Sequence, residues 1–157
     1  MIAYSDRKGG QSMMSLYNRA SALFSQIPSD VIALIARICI GAVFMRSGLL
    51  KLNGWENAVF LFENEYTLPD LPVITPEITA YLTTAAELAL PTLLFLGLLT
   101  RFAALGLLIM TLVIQIFVYP NAFDTHGVWA VALLILMKYG AGRFSLDYLL
   151  FRDKLAA

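Results

Sequence analysis

A chain of 157 residues with 59% hydrophobic and 14% charged side chains and a mean hydropathy of +0.74 is too apolar for a soluble domain. Its formal net charge is zero, and it has one cysteine and one histidine. That inventory excludes an intramolecular disulfide, bis-histidine haem ligation and a four-ligand zinc site within one chain. The lipid bilayer is the first partner the composition implies.

Residues 1–30 form a tail ahead of the first long apolar run. Within it Met13, Leu16, Tyr17, Ala20, Leu23, Phe24 and Ile27 recur at helical spacing, with Asn18, Arg19 and Gln26 largely between them. The pattern predicts an amphipathic helix on the membrane surface, and a partner-binding helix would read the same way. Ile27-Pro28 ends it, and Ser29 or Asp30 is placed to cap the first spanning helix. That first run contains Arg37 and Arg46 and lacks a small-residue cleavage site, so it is expected to be retained rather than removed as a signal peptide.

Residues 31–140 are expected to form the membrane domain, an all-α bundle of four transmembrane helices. A hydrocarbon core of about 30 Å needs about 20 helical residues. The candidate spans are Val31 to Leu50, Ile78 to Leu99, Phe102 to Tyr119, and a shorter one from His126 to Tyr139. In the first, Arg37, Gly41, Phe44 and Gly48 share a face, and the two glycines permit close helix approach. Arg46 falls about 180° from Arg37. The long connection carries Trp55, Val59, Phe62 and Tyr66 on one stripe of an interfacial helix, then Pro69, Pro72 and Pro76. Thr75-Pro76-Glu77 supplies a cap, a first-turn proline and a first-turn acid.

Glu87 stands near the middle of the second run, where a carboxylate is costly unless protonated or paired. Pro91, four residues on, cannot donate to the Glu87 carbonyl, which centres a kink on the acidic residue. At about 1.5 Å of rise per residue, Arg46 is expected roughly 6 Å deep, Glu87 roughly 13 Å and Arg37 roughly 19 Å. Either arginine is thus a candidate partner. A polar link that merely fixes helix register is an equal alternative to a functional buried acid. Gln115 falls near the depth of Arg46, and His126 marks the outer start of the fourth span. Arg37, Arg46, Glu87, Gln115 and His126 together suggest a polar site able to hold a quinone-like headgroup or relay protons. A plain interfacial loop histidine is the simpler reading of His126.

The fourth run stops at Gly140-Ala141-Gly142, and residues 141–157 form a C-terminal tail in which Ser145 and Asp147 start a short interfacial helix. Arg7, Lys8, Arg19, Arg101, Lys138, Arg143, Arg152 and Lys154 lie on one side of the spans. Lys51 is the lone base on the other, among Glu56, Glu63, Glu65, Asp70, Glu77 and Asp124. The positive-inside tendency puts both termini in the cytoplasm. The basic residues follow sidedness rather than forming a nucleic-acid patch. No phosphate loop, dinucleotide fingerprint or hydrolase elbow is present.

Three segments resemble the DoxX family of small bacterial membrane proteins: Arg37, Gly41, Phe44, Gly48 and Lys51; Glu87 followed by Gly97-Leu98-Leu99-Thr100-Arg101; and Gly140-Ala141-Gly142-Arg143-Phe144-Ser145-Leu146-Asp147. The last is the most specific, and the resemblance covers about residues 31 to 150. It implies a four-helix fold in the bacterial inner membrane and an accessory place in membrane redox chemistry, since the family name comes from a subunit linked to thiosulfate oxidation with quinone as acceptor. The expected function is an auxiliary, quinone-interacting subunit of a redox or stress-response system, as a homo-oligomer or with a membrane or soluble redox partner. A small proton-coupled transporter and a scaffold recruiting a soluble enzyme are the alternatives.

Overall fold

The computed structural model describes residues 6–65 and 75–155, with side chains placed for 13–65 and 75–151. Tyr66, Pro69 and Pro72 lie outside the described residues. Helices α1 (Asp6–Phe24), α2 (Ser29–Asn53), α3 (Trp55–Asn64), α4 (Pro76–Leu96), α5 (Thr100–Val113), α6 (Phe123–Tyr139) and α7 (Leu146–Leu155) succeed one another along the chain, and a π-helical turn, Ile114–Val118, extends α5. No strand occurs among the described residues.

Helices α2, α4, α5 and α6 surround one core containing Ala33, Phe44, Leu94, Ala103, Ala104, Leu107, Leu133 and Leu136. Lipid offers no hydrophobic drive between helices, so close contact must come from small residues and polar links. The small residues are there: Ala33, Ala80, Ala103 and Ala104 are buried completely or nearly so. At Gly41 an added Cβ would lie 2.8 Å from the Phe95 ring, and at Gly48 it would lie 2.9 Å from Leu88 Cδ2 and 3.1 Å from the Glu87 Cβ. The glycines therefore set the α2–α4 separation.

Outward faces are apolar, with Ile35, Ile38, Leu82, Ile109 and Val131 exposed. A soluble monomer rarely shows so much apolar surface. Three helical segments, Ser29–Asn53, Pro76–Leu96 and Thr100–Val118, are long and apolar enough to cross a membrane. The 17-residue α6 is shorter and completes the core.

Local boundaries are set by side-chain chemistry. Thr75 caps α4 by accepting from the Ile78 N–H at 3.3 Å, with Pro76 in the first turn. Gly97, at φ 64°, ends α4; its N–H donates to Leu94 O and the Leu98 N–H to Leu93 O. This is a left-handed stop that most side chains resist. The expected Ser29 or Asp30 cap on α2 is not made. Pro28 occupies the cap position without a side-chain hydrogen bond, and Asp30 Oδ1 instead accepts from the Arg143 N–H at 3.0 Å. Helix α3 packs on α4 through Trp55, whose ring centroid lies 4.2 Å from that of Tyr81 at a tilt of 38°, and Phe62 is turned inward. By contrast α1 exposes Met13, Leu16, Tyr17, Leu23 and Phe24.

Candidate functional site

Helix α2 runs through Leu50 to Asn53, so Lys51 belongs to its last turn rather than to a connection. Lys51 falls fourteen positions after Arg37, within about 40° of the same face. Its Nζ donates to Glu87 Oε1 at 2.7 Å and Oε2 at 2.6 Å, and to Ser47 Oγ at 3.1 Å. Ser47 Oγ in turn donates to Glu87 Oε1 at 3.1 Å. Glu87 is buried, whereas 17% of the Lys51 side chain is exposed. The carboxylate at mid-helix depth is thus answered by a lysine and a serine one turn apart on α2.

This corrects the expectation that an arginine pairs with Glu87. Arg37 lies at the opposite end of the bundle, nearly fully buried. Its Nε donates to Leu94 O at 2.6 Å, Nη2 to Phe95 O at 2.8 Å, and Nη1 to Ala141 O at 2.9 Å and Phe144 O at 2.8 Å. A helix C-terminus offers unpaired carbonyls and a partial negative charge. The guanidinium satisfies both without a carboxylate. Arg46, on the far side of α2, is exposed; its long stem lets the charge leave the bilayer interior instead of entering the bundle. Neither arginine belongs to the polar site.

On the facing wall, the π-helical turn places Gln115 so that its Nε2 donates to Pro120 O at 2.6 Å. The amide oxygen is then left for the His126 Nδ1, at 2.7 Å. An amide oxygen only accepts, so the Nδ1 carries the proton and the Nε2 is an acceptor with no protein partner among the described residues. His126 is buried in the first turn of α6 and packs 4.9 Å from the Trp129 ring. Trp129 meets Phe44 edge-on at 5.4 Å. The loop-histidine reading therefore fails: the ring is held inside the bundle. A π-turn is a local irregularity that often accompanies a built site.

Between these walls lies a cavity of about 190 Å³, with Ser47, Lys51 and Glu87 on one side and His126 and Trp129 on the other. Phe44, Phe62, Met110, Ile114 and Val118 supply apolar lining, and Thr79 and Thr83 add hydroxyls. The Thr83 hydroxyl is occupied, donating to Thr79 O at 2.8 Å. Of the five sequence-derived site residues, Glu87 and His126 line this space and Gln115 orients His126. Lys51 and Ser47 complete it. Ser47 sends no sequence signal beyond its position one turn before Lys51.

The remaining motif residues gather at the other end. Asp147 Oδ1 accepts from the Leu99 N–H at 2.7 Å and Oδ2 from the Thr100 N–H at 3.0 Å, capping α5 from 47 residues away. Ser145 Oγ donates to Gly142 O at 2.5 Å and accepts from the Tyr148 N–H at 3.1 Å, starting α7. A Cβ on Gly97 would meet Ser145 Cβ at 2.5 Å and Arg37 Nη2 at 2.7 Å. Gly140 and Gly142 have φ of 76° and 75°, which tightens the turn out of α6. Arg37, Gly97, Gly142, Ser145 and Asp147 therefore form one clasp that fastens the C-terminal segment to α2 and the α4–α5 turn.

Known proteins share much of this framework. Residues 32–120 match the DoxX family profile. The chain belongs to the DoxX family. A relative from Haemophilus influenzae, an uncharacterized protein, is 34% identical over 132 residues, covering 79% of this chain and 86% of the relative. No solved structure matches the chain. As a DoxX protein with three helices long and apolar enough to span, it is a multi-pass membrane protein. The DoxX match includes both walls of the cavity except His126 and Trp129, and it stops before the terminal segment of the clasp.

Proposed function

We propose that this DoxX protein is an auxiliary subunit of a membrane redox or stress-response system, and that its cavity receives the headgroup of a quinone. The observation that carries the reading is the pairing of unlike walls. An ion pair with one accessible ammonium faces a histidine whose Nε2 is a fixed acceptor, inside an otherwise apolar space. By giving up its 3.1 Å contact with Ser47 Oγ, Lys51 Nζ donates to a carbonyl oxygen, and His126 Nε2 accepts from a hydroxyl, so both oxidation states of a ring carrying oxygens find a partner. At about 190 Å³ the cavity is below the roughly 300–1,000 Å³ common for drug-sized ligands. It suits a single ring whose tail remains among the exposed apolar helices. When bound, a quinone supplies two-electron redox capacity; the protein's part is to orient the ring between Lys51 and His126.

The proposed setting is the bacterial inner membrane, with α6 as a fourth span and both termini cytoplasmic, as the clustering of basic residues supports. The test is mass spectrometry of the gently solubilised chain. Parent protein should retain a quinone, and Glu87→Ala should lose it while keeping its helical circular dichroism. Equal retention by folded Glu87→Ala would reduce the Glu87–Lys51 pair to a structural link.

A further inference from the structure

The end of the bundle away from the quinone cavity has a larger groove, about 470 Å³, between the start of α5, the end of α6 and the start of α7. Thr100, Arg101, Tyr139, Arg143 and Tyr148 are among the residues lining it. Its two acids are already engaged. Asp147 uses both oxygens on backbone N–H groups, and Asp30 accepts from the Arg143 N–H and lies 3.5 Å from its Nε. Arg101 has neither an ionic nor a hydrogen-bonding partner among the described residues. Its guanidinium nevertheless lies beside Gly140, where a Cβ would be 3.6 Å from Nε and Nη2. Thr100, fully buried beneath it, has a hydroxyl with no hydrogen-bond partner.

We infer that this groove binds the headgroup of an anionic phospholipid. Arg101 supplies a charge that no carboxylate among the described residues neutralises, and the unpartnered Thr100 hydroxyl lies in the wall behind it. Tyr139 and Tyr148 are amphipathic rings of the kind that sit at headgroup level. The groove lies where α5 starts and α6 ends, so the phosphate of a lipid standing beside the bundle reaches it while the acyl chains cover the exposed Phe102. A basic pocket between helix ends is a recurring form of headgroup recognition. A free phosphate ion would share the chemistry but would have no use for the apolar flank, so the two sources can be distinguished.

The full chain in dodecyl maltoside micelles is titrated with dihexanoyl-phosphatidylglycerol, with dihexanoyl-phosphatidylcholine, and with inorganic phosphate at matched ionic strength, and Tm is monitored. The phosphatidylglycerol is expected to raise Tm saturably and the phosphatidylcholine much less. Arg101→Gln should weaken the phosphatidylglycerol response about fivefold, the effect of one basic group near a lipid surface. Arg46→Gln, an exposed base outside the groove, should leave it unchanged. Equal responses to the two lipids, equal losses in Arg101→Gln and Arg46→Gln, or a full response to inorganic phosphate would each overturn the lipid site. Should Arg101→Gln fail to fold, the contrast between the two lipids in the parent and the weakening in Arg143→Gln decide the matter, since the backbone N–H that Asp30 holds survives that change.

Discussion

Glu87 is held by two groups of different strength, and removing either has a calculable consequence. Fully buried ion pairs that lose one partner cost about 3–5 kcal/mol, because the other charge is left without compensation. Lys51 keeps some access, so Lys51→Met should destabilise the bundle by about 2–3 kcal/mol, less than the fully buried case. Replacing both members, Lys51→Met with Glu87→Met, should recover most of that loss, since no charge remains to desolvate. Arg46→Gln, on an exposed position, should stay within about 0.5 kcal/mol of the parent. Unfolding in mixed micelles across this double-mutant cycle measures the coupling. Additive single effects would mean that the 2.6 Å contact contributes nothing to stability.

At the level of helices, Gly48 is what allows the pair to form. Gly48→Ile must push Leu88 and Glu87 away from α2, an overpacking that costs about 1–3 kcal/mol and lengthens the Lys51–Glu87 contact. Engineered cysteines at Ser47 and Glu87 should crosslink readily in the parent background and poorly beside Gly48→Ile. Unchanged crosslinking would show that α2 and α4 do not meet at this glycine. The helices themselves are legible in the sequence because apolar runs and proline or glycine boundaries are local signals. Glu87, Gln115 and His126 are legible as polar interruptions at similar depth. The arginine assignments are not, for two physical reasons. Ending the first span at Leu50 removes Lys51 from the face it shares with Arg37, Phe44 and Gly48. The acceptors of Arg37 are main-chain carbonyls, two of them more than a hundred residues away, and a carbonyl carries no sequence identity. Asp147 illustrates the same limit: the sequence marks it as the start of α7, whereas its carboxylate caps α5.

Across the whole molecule the two ends do different work. One is a clasp in which backbone and charge are mutually satisfied, and the other opens a small cavity in which the His126 Nε2 has no protein partner among the described residues. A chain organised in this way keeps the cavity geometry fixed from a distance, through α2 and α4, which run from the clasp to the Lys51–Glu87 pair. The two tryptophans provide a direct readout of that cavity, because Trp129 lines it while Trp55 packs outside on Tyr81. The deciding measurement is fluorescence quenching of the Trp55→Phe chain by a short-chain benzoquinone. Saturable quenching of Trp129 that weakens at least tenfold in Lys51→Met or His126→Phe, with helicity retained, is the expected result. Quenching that rises linearly with quinone and is identical in all three proteins would contradict the cavity as a quinone site.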